Sequence, residues 1–559
     1  MTSSTGAAAE GRAGTAAGDR AGAAAGARGS AAPTVFVLVP EIHTGAWVWD
    51  ELAVRLRESG AGVWAVELSG TGAADGDAGS TFVAGSTRTA DAAATTPVDL
   101  ETHIADVLAA VDALTPPGDG DAAGPDQYLV LVGHGYGIHP ALGAADRRPG
   151  RVARIVHLDT GSPQDGDPPL ALGADQTLRE RLTGPHLPPP AAGDLQRWGS
   201  LDGVPADALA LLTSRAVPQP TATLTQPLRL TGAAAGVPST GVLCTANGTS
   251  IALVELLVGM GDPRVLPLVD RRVRFFELAT GHWPMLSRPA ELAAVLLEAA
   301  EGGGQRLTPR AEGAAAPPGT FPLDVAERPR ERHGRVDLHL PEDEQPVPAV
   351  VFVHGGPVPA DGRPTPRDSS TFLGYARYAA SLGAVGVTLD HRLHDLSGFE
   401  RAAEDVAAAV DLVRGHPRVD ADRVALWFLS GGGVLSAEWL AAPPKWLRCV
   451  ALTYPVLAPL PNWGLAADRF RPAEALRGAG SLPVVLTRVG QELPEIAATV
   501  EEFLTAAKEC AADVEVVDVP DARHGFETLD HTDGTRAALR RAMTSVLRRL
   551  EPHGGSGER

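Results

Sequence analysis

The chain has 559 residues, with 48 Lys and Arg against 68 Asp and Glu, and a formal charge of −20. That length predicts two or three domains rather than one core, and the acidic balance argues against nucleic acid or an anionic membrane as partner, since both need clustered positive charge. The three cysteines, Cys244, Cys449 and Cys510, are far apart and odd in number, so neither a disulfide framework nor a CxxC metal site is indicated.

Residues 1–32 are mostly Ala, Gly, Ser, Thr and Arg, with no Leu, Ile, Val or Phe. They lack the apolar stretch of a secretory signal, and no run in the chain approaches the roughly 18 apolar residues of a membrane span. The expectation is a disordered tail on a cytoplasmic protein.

Thr34–Val39 is a nearly continuous apolar run, the pattern of a strand buried on both faces. Asp50–Arg57 then reads as an amphipathic helix, Gly62–Leu68 as a strand and Leu100–Leu114 as a second helix. Tyr128–Val132 is a strand that runs into Gly133-His134-Gly135-Tyr136-Gly137, and Arg154–Asp159 is another. Alternating strands and helices predict a parallel sheet in an α/β domain. Residues 162–235, rich in Pro and Leu, break the alternation and are expected to form a lid over the strand ends. The pattern returns with Gly241–Thr245 and Val273–Leu278, followed by Gly281-His282-Trp283-Pro284-Met285-Leu286 and the helix Pro289–Ala300.

On the Gly-x-x-x-Gly at 133–137, the Gly-His-Trp-Pro-Met-Leu segment and the stretch Ala222–Leu230, residues 34–300 resemble the small esterase and hydroxynitrile-lyase-like branch of the α/β-hydrolases. Against that resemblance the catalytic triad is incomplete. Gly135 holds the nucleophile position and has no side chain to attack with. Asn247 stands near the family's acid, and Pro40-Glu41 stands where the family has the His-Gly whose following turn helps to make the oxyanion hole. His282 alone remains. The first half is therefore expected to be a degenerate hydrolase domain, with His282 either a remnant or the base of a chemistry that needs no nucleophile.

A Gly/Pro/Ala-rich stretch from Glu301 to about Pro322 reads as a flexible connection. The charged run Glu327–Arg335 reads as a solvated face. Beyond it Val336, Leu338 and Leu340 alternate with Asp337, His339 and Pro341, as in a half-exposed edge strand. Ala349–Val353, ending at His354-Gly355-Gly356-Pro357, and Ala384–Asp390 read as further strands, and Ala402–Val413 as a helix. Val424–Leu429 is an apolar strand that stops at Ser430-Gly431-Gly432-Gly433, with a helix expected over Val434–Leu440. A strand, a sharp turn carrying serine and a helix form a nucleophile elbow. Phe428 departs from that pattern, because the residue two before the nucleophile is usually small. Strands at Cys449–Tyr454, Pro483–Arg488 and Val514–Val519 complete the set, the last leading to His524-Gly525-Phe526.

On His354-Gly355-Gly356-Pro357, Asp390-His391-Arg392-Leu393-His394, the serine turn, Val489-Gly490-Gln491-Glu492 and Arg523-His524-Gly525-Phe526, residues 330–551 resemble the dienelactone-hydrolase and acyl-peptidase-like branch of the same fold. The resemblance implies Ser430 as nucleophile, His524 as base and Glu492 as acid, with Glu495 as fallback for the acid. It also implies an oxyanion hole from the Gly431 and Gly356 N–H groups. His391 and His394 are expected to brace the loop over the sheet.

The reading that follows is two α/β-hydrolase domains. A degenerate one spans 33–301 with a lid at about 162–235, and a catalytic one spans 329–552. They are joined by a linker at 302–328 and flanked by tails at 1–32 and 553–559. The expected activity is hydrolysis of a small-molecule carboxylic ester, thioester or lactone through an acyl-enzyme, with no cofactor and no metal. The partner is then the small-molecule substrate, with a homo-oligomer left open. Two alternatives remain: the same triad used as acyltransferase, lyase or cyclase in specialised metabolism, and a non-catalytic binding or scaffold protein.

Overall fold

A computed structural model describes residues 33–71, 97–114, 128–171, 181–259, 264–308, 320–358, 360, 362–394, 398–463 and 469–552. Both predicted tails lie outside these residues.

The first half is built on β1 (Thr34–Val39), β2 (Gly62–Ala65), β3 (Tyr128–His134) and β4 (Val152–Leu158), then a small ribbon of β5 (His186–Leu187) and β6 (Gln219–Pro220), then β7 (Ser239–Cys244) and β8 (Val273–Leu278). Apart from the ribbon these form one parallel sheet in the order β2-β1-β3-β4-β7-β8. The apolar runs have a direct cause. In β1, Val35, Val37 and Val39 belong to one core cluster and Phe36 and Leu38 to another, so both faces of the sheet are covered by helices. Each such side chain contributes about 1.5–3 kcal/mol by leaving water.

The second half carries β9 (Arg330–His333), β10 (Val336–His339), β11 (Val347–Val353), β12 (Val385–Leu389), β13 (Val419–Leu429), β14 (Leu447–Thr453), β15 (Val484–Gln491) and β16 (Val514–Arg523). They form a mixed sheet in the order β16-β15-β14-β13-β11-β12-β10-β9, parallel from β12 to β16 and antiparallel at β9 and β10. Val351 and Val353 face one cluster, and Val350 and Phe352 the other.

Three local expectations change, the first being that β10, expected as a half-exposed edge strand, is an interior strand buried at all four residues. The helix after Ser430 is replaced by a 3-10 stretch, Ser430–Ser436, and a short helix, Ala437–Ala441. Three successive glycines are poor α-helix formers, so the tighter, shorter form takes the turn. The charged run near 330 contains the edge strand β9. Its Arg330 and Arg332, together with Arg367, surround the fully buried Asp337 of β10. Arg332 keeps about half of its side chain in water, Arg367 is mostly covered, and the aspartate between them is neutralised.

The stretch between the halves is packed at both described ends. Gln305 pairs with Phe275 of β8, Leu307 is buried beside Leu243, and Leu323 is buried in a core cluster of the second half. The two halves also touch directly. Ser250 Oγ donates to Glu495 Oε1 at 3.0 Å, and the turn Thr245–Asn247 contacts the turn Pro461–Trp463.

Candidate active site

Ser430 directly follows the end of β13 and has φ of +53°. A serine adopts that left-handed conformation only under constraint, and here the constraint is packing on both sides. Val456 N–H bonds the Ser430 carbonyl at 3.0 Å. A Cβ at Gly432 would stand 2.5 Å from the His354 carbonyl oxygen, so only glycine allows the turn to sit this close to the loop after β11. Phe428 is fully buried and paired in register with Val353 and Leu452, so the bulky side chain goes into the core and the elbow still forms.

Ser430 Oγ lies 2.7 Å from His524 Nε2, and His524 Nδ1 lies 2.8 Å from Glu492 Oε2. His524 follows β16 and Glu492 follows β15, the strands that lie beyond β14 from the elbow strand. Glu492 is itself held, because its Oε1 accepts the Leu493 N–H at 2.9 Å. Glu495, the fallback acid, points to Ser250 instead. Gly431 and Gly356 lie against each other beside Ser430, a Cβ at Gly431 standing 3.7 Å from Gly356 N. His391 stacks on His354 with ring centroids 3.5 Å apart, and its Nε2 is 2.9 Å from the His354 carbonyl oxygen. His394 Nδ1 lies 3.0 Å from the Val358 carbonyl oxygen. Burial pushes the His391 imidazole down to about 4, so it braces the loop as a neutral ring.

Beneath His524 lies a group that sequence reasoning did not single out. The Tyr454 ring is 4.6 Å from the His524 ring, and its hydroxyl donates to the buried Glu527 at 2.6 Å. Tyr375 donates to the other Glu527 oxygen at 2.5 Å. Burial raises the Glu527 carboxyl above its usual range, while the two hydroxyls act the other way.

In the first half, Gly135 holds the elbow geometry with φ of +48°, and a Cβ there would overlap Glu41 Oε2. Glu41 reaches across from the loop after β1. Its Oε2 accepts the Tyr136 N–H at 2.7 Å and its Oε1 accepts the Ile42 N–H at 2.7 Å. These are the N–H groups directly after Gly135 and in the loop after β1, so one carboxylate bridges the two loops. His282 Nδ1 lies 2.7 Å from Asp159 Oδ2 at the end of β4, and Nε2 lies 3.8 Å from Glu41 Oε2. Asn247 is within 3.5 Å of His282, and its amide donates to Asp159 at 2.7 Å. The carboxylate that touches His282 is therefore Asp159. The sequence carries one signal for it, an acidic residue at a strand end. Burial opposes protonation of His282, but the hydrogen bond to Asp159 and the charges of Asp159 and Glu41 outweigh it and hold the ring up at about 9.

Segment 181–235 packs against this region. The Ser200 carbonyl accepts the His282 N–H at 2.8 Å, Ser200 N–H donates to Asn247 Oδ1 at 2.8 Å, and His43 Nδ1 lies 2.8 Å from the Val217 carbonyl oxygen.

The two sets of residues open into one cavity of about 1200 Å³, lined from one side by Glu41, Gly135, Asp159 and His282 and from the other by Ser430, Gly431 and His524. For a metal, Glu41, His134 and His282 offer ligand atoms within 4.8 Å of one another, as do Glu331, His333 and His416. In the first group both Glu41 oxygens already accept backbone N–H groups, and the second group lies away from the cavity.

Residues 36–295 match the model of the alpha/beta hydrolase family. Among known proteins, a carbendazim-hydrolysing esterase of Nocardioides sp. (strain SG-4G) is 28% identical over 210 residues, covering 36% of this chain and 76% of its own. An extracellular alpha/beta-hydrolase of a Paenibacillus species is similar over 48% of this chain and 99% of its own, at 21% identity and a TM-score of 0.35. EstE1, a thermophilic carboxylesterase cloned from a metagenomic library, is similar over 41% and 92%, at 21% identity and a TM-score of 0.34.

Proposed function

We propose that the chain is a serine hydrolase that cleaves a small-molecule carboxylic ester, thioester or lactone through an acyl-enzyme on Ser430. The single observation that carries this is the continuous path Ser430 Oγ–His524–Glu492 at 2.7 and 2.8 Å, opening on the cavity. In this reading residues 329–552 are the catalytic domain. Residues 33–301 are a second α/β-hydrolase domain without a nucleophile, and about 162–235 are its lid.

Ser430 Oγ attacks the carbonyl carbon as its proton passes to His524 Nε2. The carbonyl oxygen takes up the electron pair and is held by the Gly431 and Gly356 N–H groups. Collapse expels the alcohol or thiol, which leaves with the proton from His524. Water then repeats the sequence and frees the acid. Glu492 holds Nδ1 of the imidazole, fixing its tautomer and stabilising the imidazolium. Pro357 has no N–H and gives no donor.

Labelling the whole protein with a fluorophosphonate probe and mapping the peptide tests the reading. An adduct on Ser430 that disappears in His524→Ala supports it. Folded protein without an adduct overturns it.

A further inference from the structure

At about 1200 Å³ the cavity beside Ser430 exceeds the roughly 300–1,000 Å³ of ordinary small-molecule sites. Its far wall belongs wholly to the first half. Leu253, Leu257 and Phe275 give that wall an apolar surface, and Glu41, His139 and His282 are polar groups on it.

These polar groups have unused bonding capacity. A carboxylate accepts at about four lone-pair positions, and Glu41 has one backbone N–H on each oxygen. The nearest carboxylate oxygen to His282 Nε2 is 3.8 Å away, beyond hydrogen-bond reach. His139 is 1% exposed, with Nδ1 at 3.1 Å from the Tyr136 carbonyl oxygen and with no partner for Nε2. An unpaired buried polar atom is costly, so a bound group that pairs with it is favoured.

We infer that this wall is a binding subsite for the hydroxyl-bearing end of the substrate. One molecule, a large and mostly apolar ester with a hydroxyl remote from its acyl carbon, spans the cavity from Glu41 to Ser430. A hydroxyl donates and accepts at once, which suits Glu41 as acceptor beside His282 Nε2–H as donor. A carboxylate at that end meets the charges of Glu41 and Asp159. A purely apolar end leaves Glu41 without solvent and without a new partner. The ester in this inference rests on the reading of Ser430, and the subsite does not.

The experiment uses the full chain carrying Ser430→Ala, which holds an ester without cleaving it. Calorimetry measures binding of ethyl esters from octanoate to hexadecanoate, each with and without a terminal hydroxyl. The expected result is about tenfold tighter binding of the hydroxylated ester at one chain length, the factor a hydrogen bond to a charged group provides. That preference falls to near parity when Glu41→Gln or His282→Phe is added, with circular dichroism confirming the fold. Parity at every length, or no binding, overturns the inference. Turnover of the same esters by the unsubstituted protein is scored separately. If turnover is absent while the hydroxyl preference persists, the reading of Ser430 fails and the subsite stands.

Discussion

The carboxylate of Glu41 occupies the space that a side chain on Gly135 would need. The two residues exclude each other's alternatives. A serine placed at 135 meets Glu41, whose carboxylate already holds the neighbouring Tyr136 and Ile42 N–H groups. Gly135→Ser alone is therefore expected to destabilise the protein by about 1–3 kcal/mol through overpacking and to give no fluorophosphonate adduct at that position. Adding Glu41→Gly clears the space beside the His282–Asp159 pair, and an adduct at position 135 is then expected by peptide mass mapping. Its absence in folded double variant shows that more than Glu41 blocks the site.

Ser430→Ala and His524→Ala are each expected to lower kcat on p-nitrophenyl acetate by ~10⁴-fold or more, and the two together by no more than either alone, because members of a triad act as a unit. Glu492→Gln keeps the shape and removes the charge beside Nδ1, so a smaller but large loss is expected. Steady-state kinetics with circular dichroism checks all four proteins, and additive losses contradict a shared mechanism.

The His282 ring is held up at about 9 in the fold against about 6.5 in an unfolded chain. Its contribution to stability is full below about pH 6.5 and is lost as pH rises through about 9. Thermal unfolding of the native sequence minus that of His282→Gln is expected to shrink over this window. His43, His139 and His157 are each pushed down to about 4 by burial, so they weaken the fold as pH falls and cancel in the comparison. A difference that is flat from pH 6.5 to 9 rules out a charged His282.

Asp337 has no exposed surface and meets Arg330, Arg332 and Arg367. Asp337→Ala is expected to cost about 3 kcal/mol, the lower range for breaking a buried ion pair. The measurement is urea unfolding followed by hydrogen exchange at β9 and β10. Loss of protection should concentrate at that edge, since β9 is otherwise exposed along its length.

The second site was legible because its parts sit at strand ends in a fixed chain order, and Ser430, Glu492 and His524 do come together. The buried strands were legible because both faces are covered, which turns them into uninterrupted apolar runs such as Thr34–Val39 and Val350–Val353. Three things were not. Asp159 and Asn247 are distant in sequence and meet only through β4 and β7; Asn247, expected near the acid position, does lie by His282, and nothing local says that Asp159 joins it there. Glu41 read as the loss of a His-Gly pair, because nothing local says that its side chain crosses to the neighbouring loop. The strand β9 was hidden because charged arginines at a sheet edge look like a solvated face until their buried partner Asp337 is known.

The Ser250–Glu495 hydrogen bond ties together two halves whose cores are separate, yet both halves wall the same space. A change in the first core can reshape that space without touching Ser430, Glu492 or His524. A change in the second can retune the triad and leave the opposite wall as it was. What the cavity accepts and what happens to it there can thus drift under independent selection within a single gene.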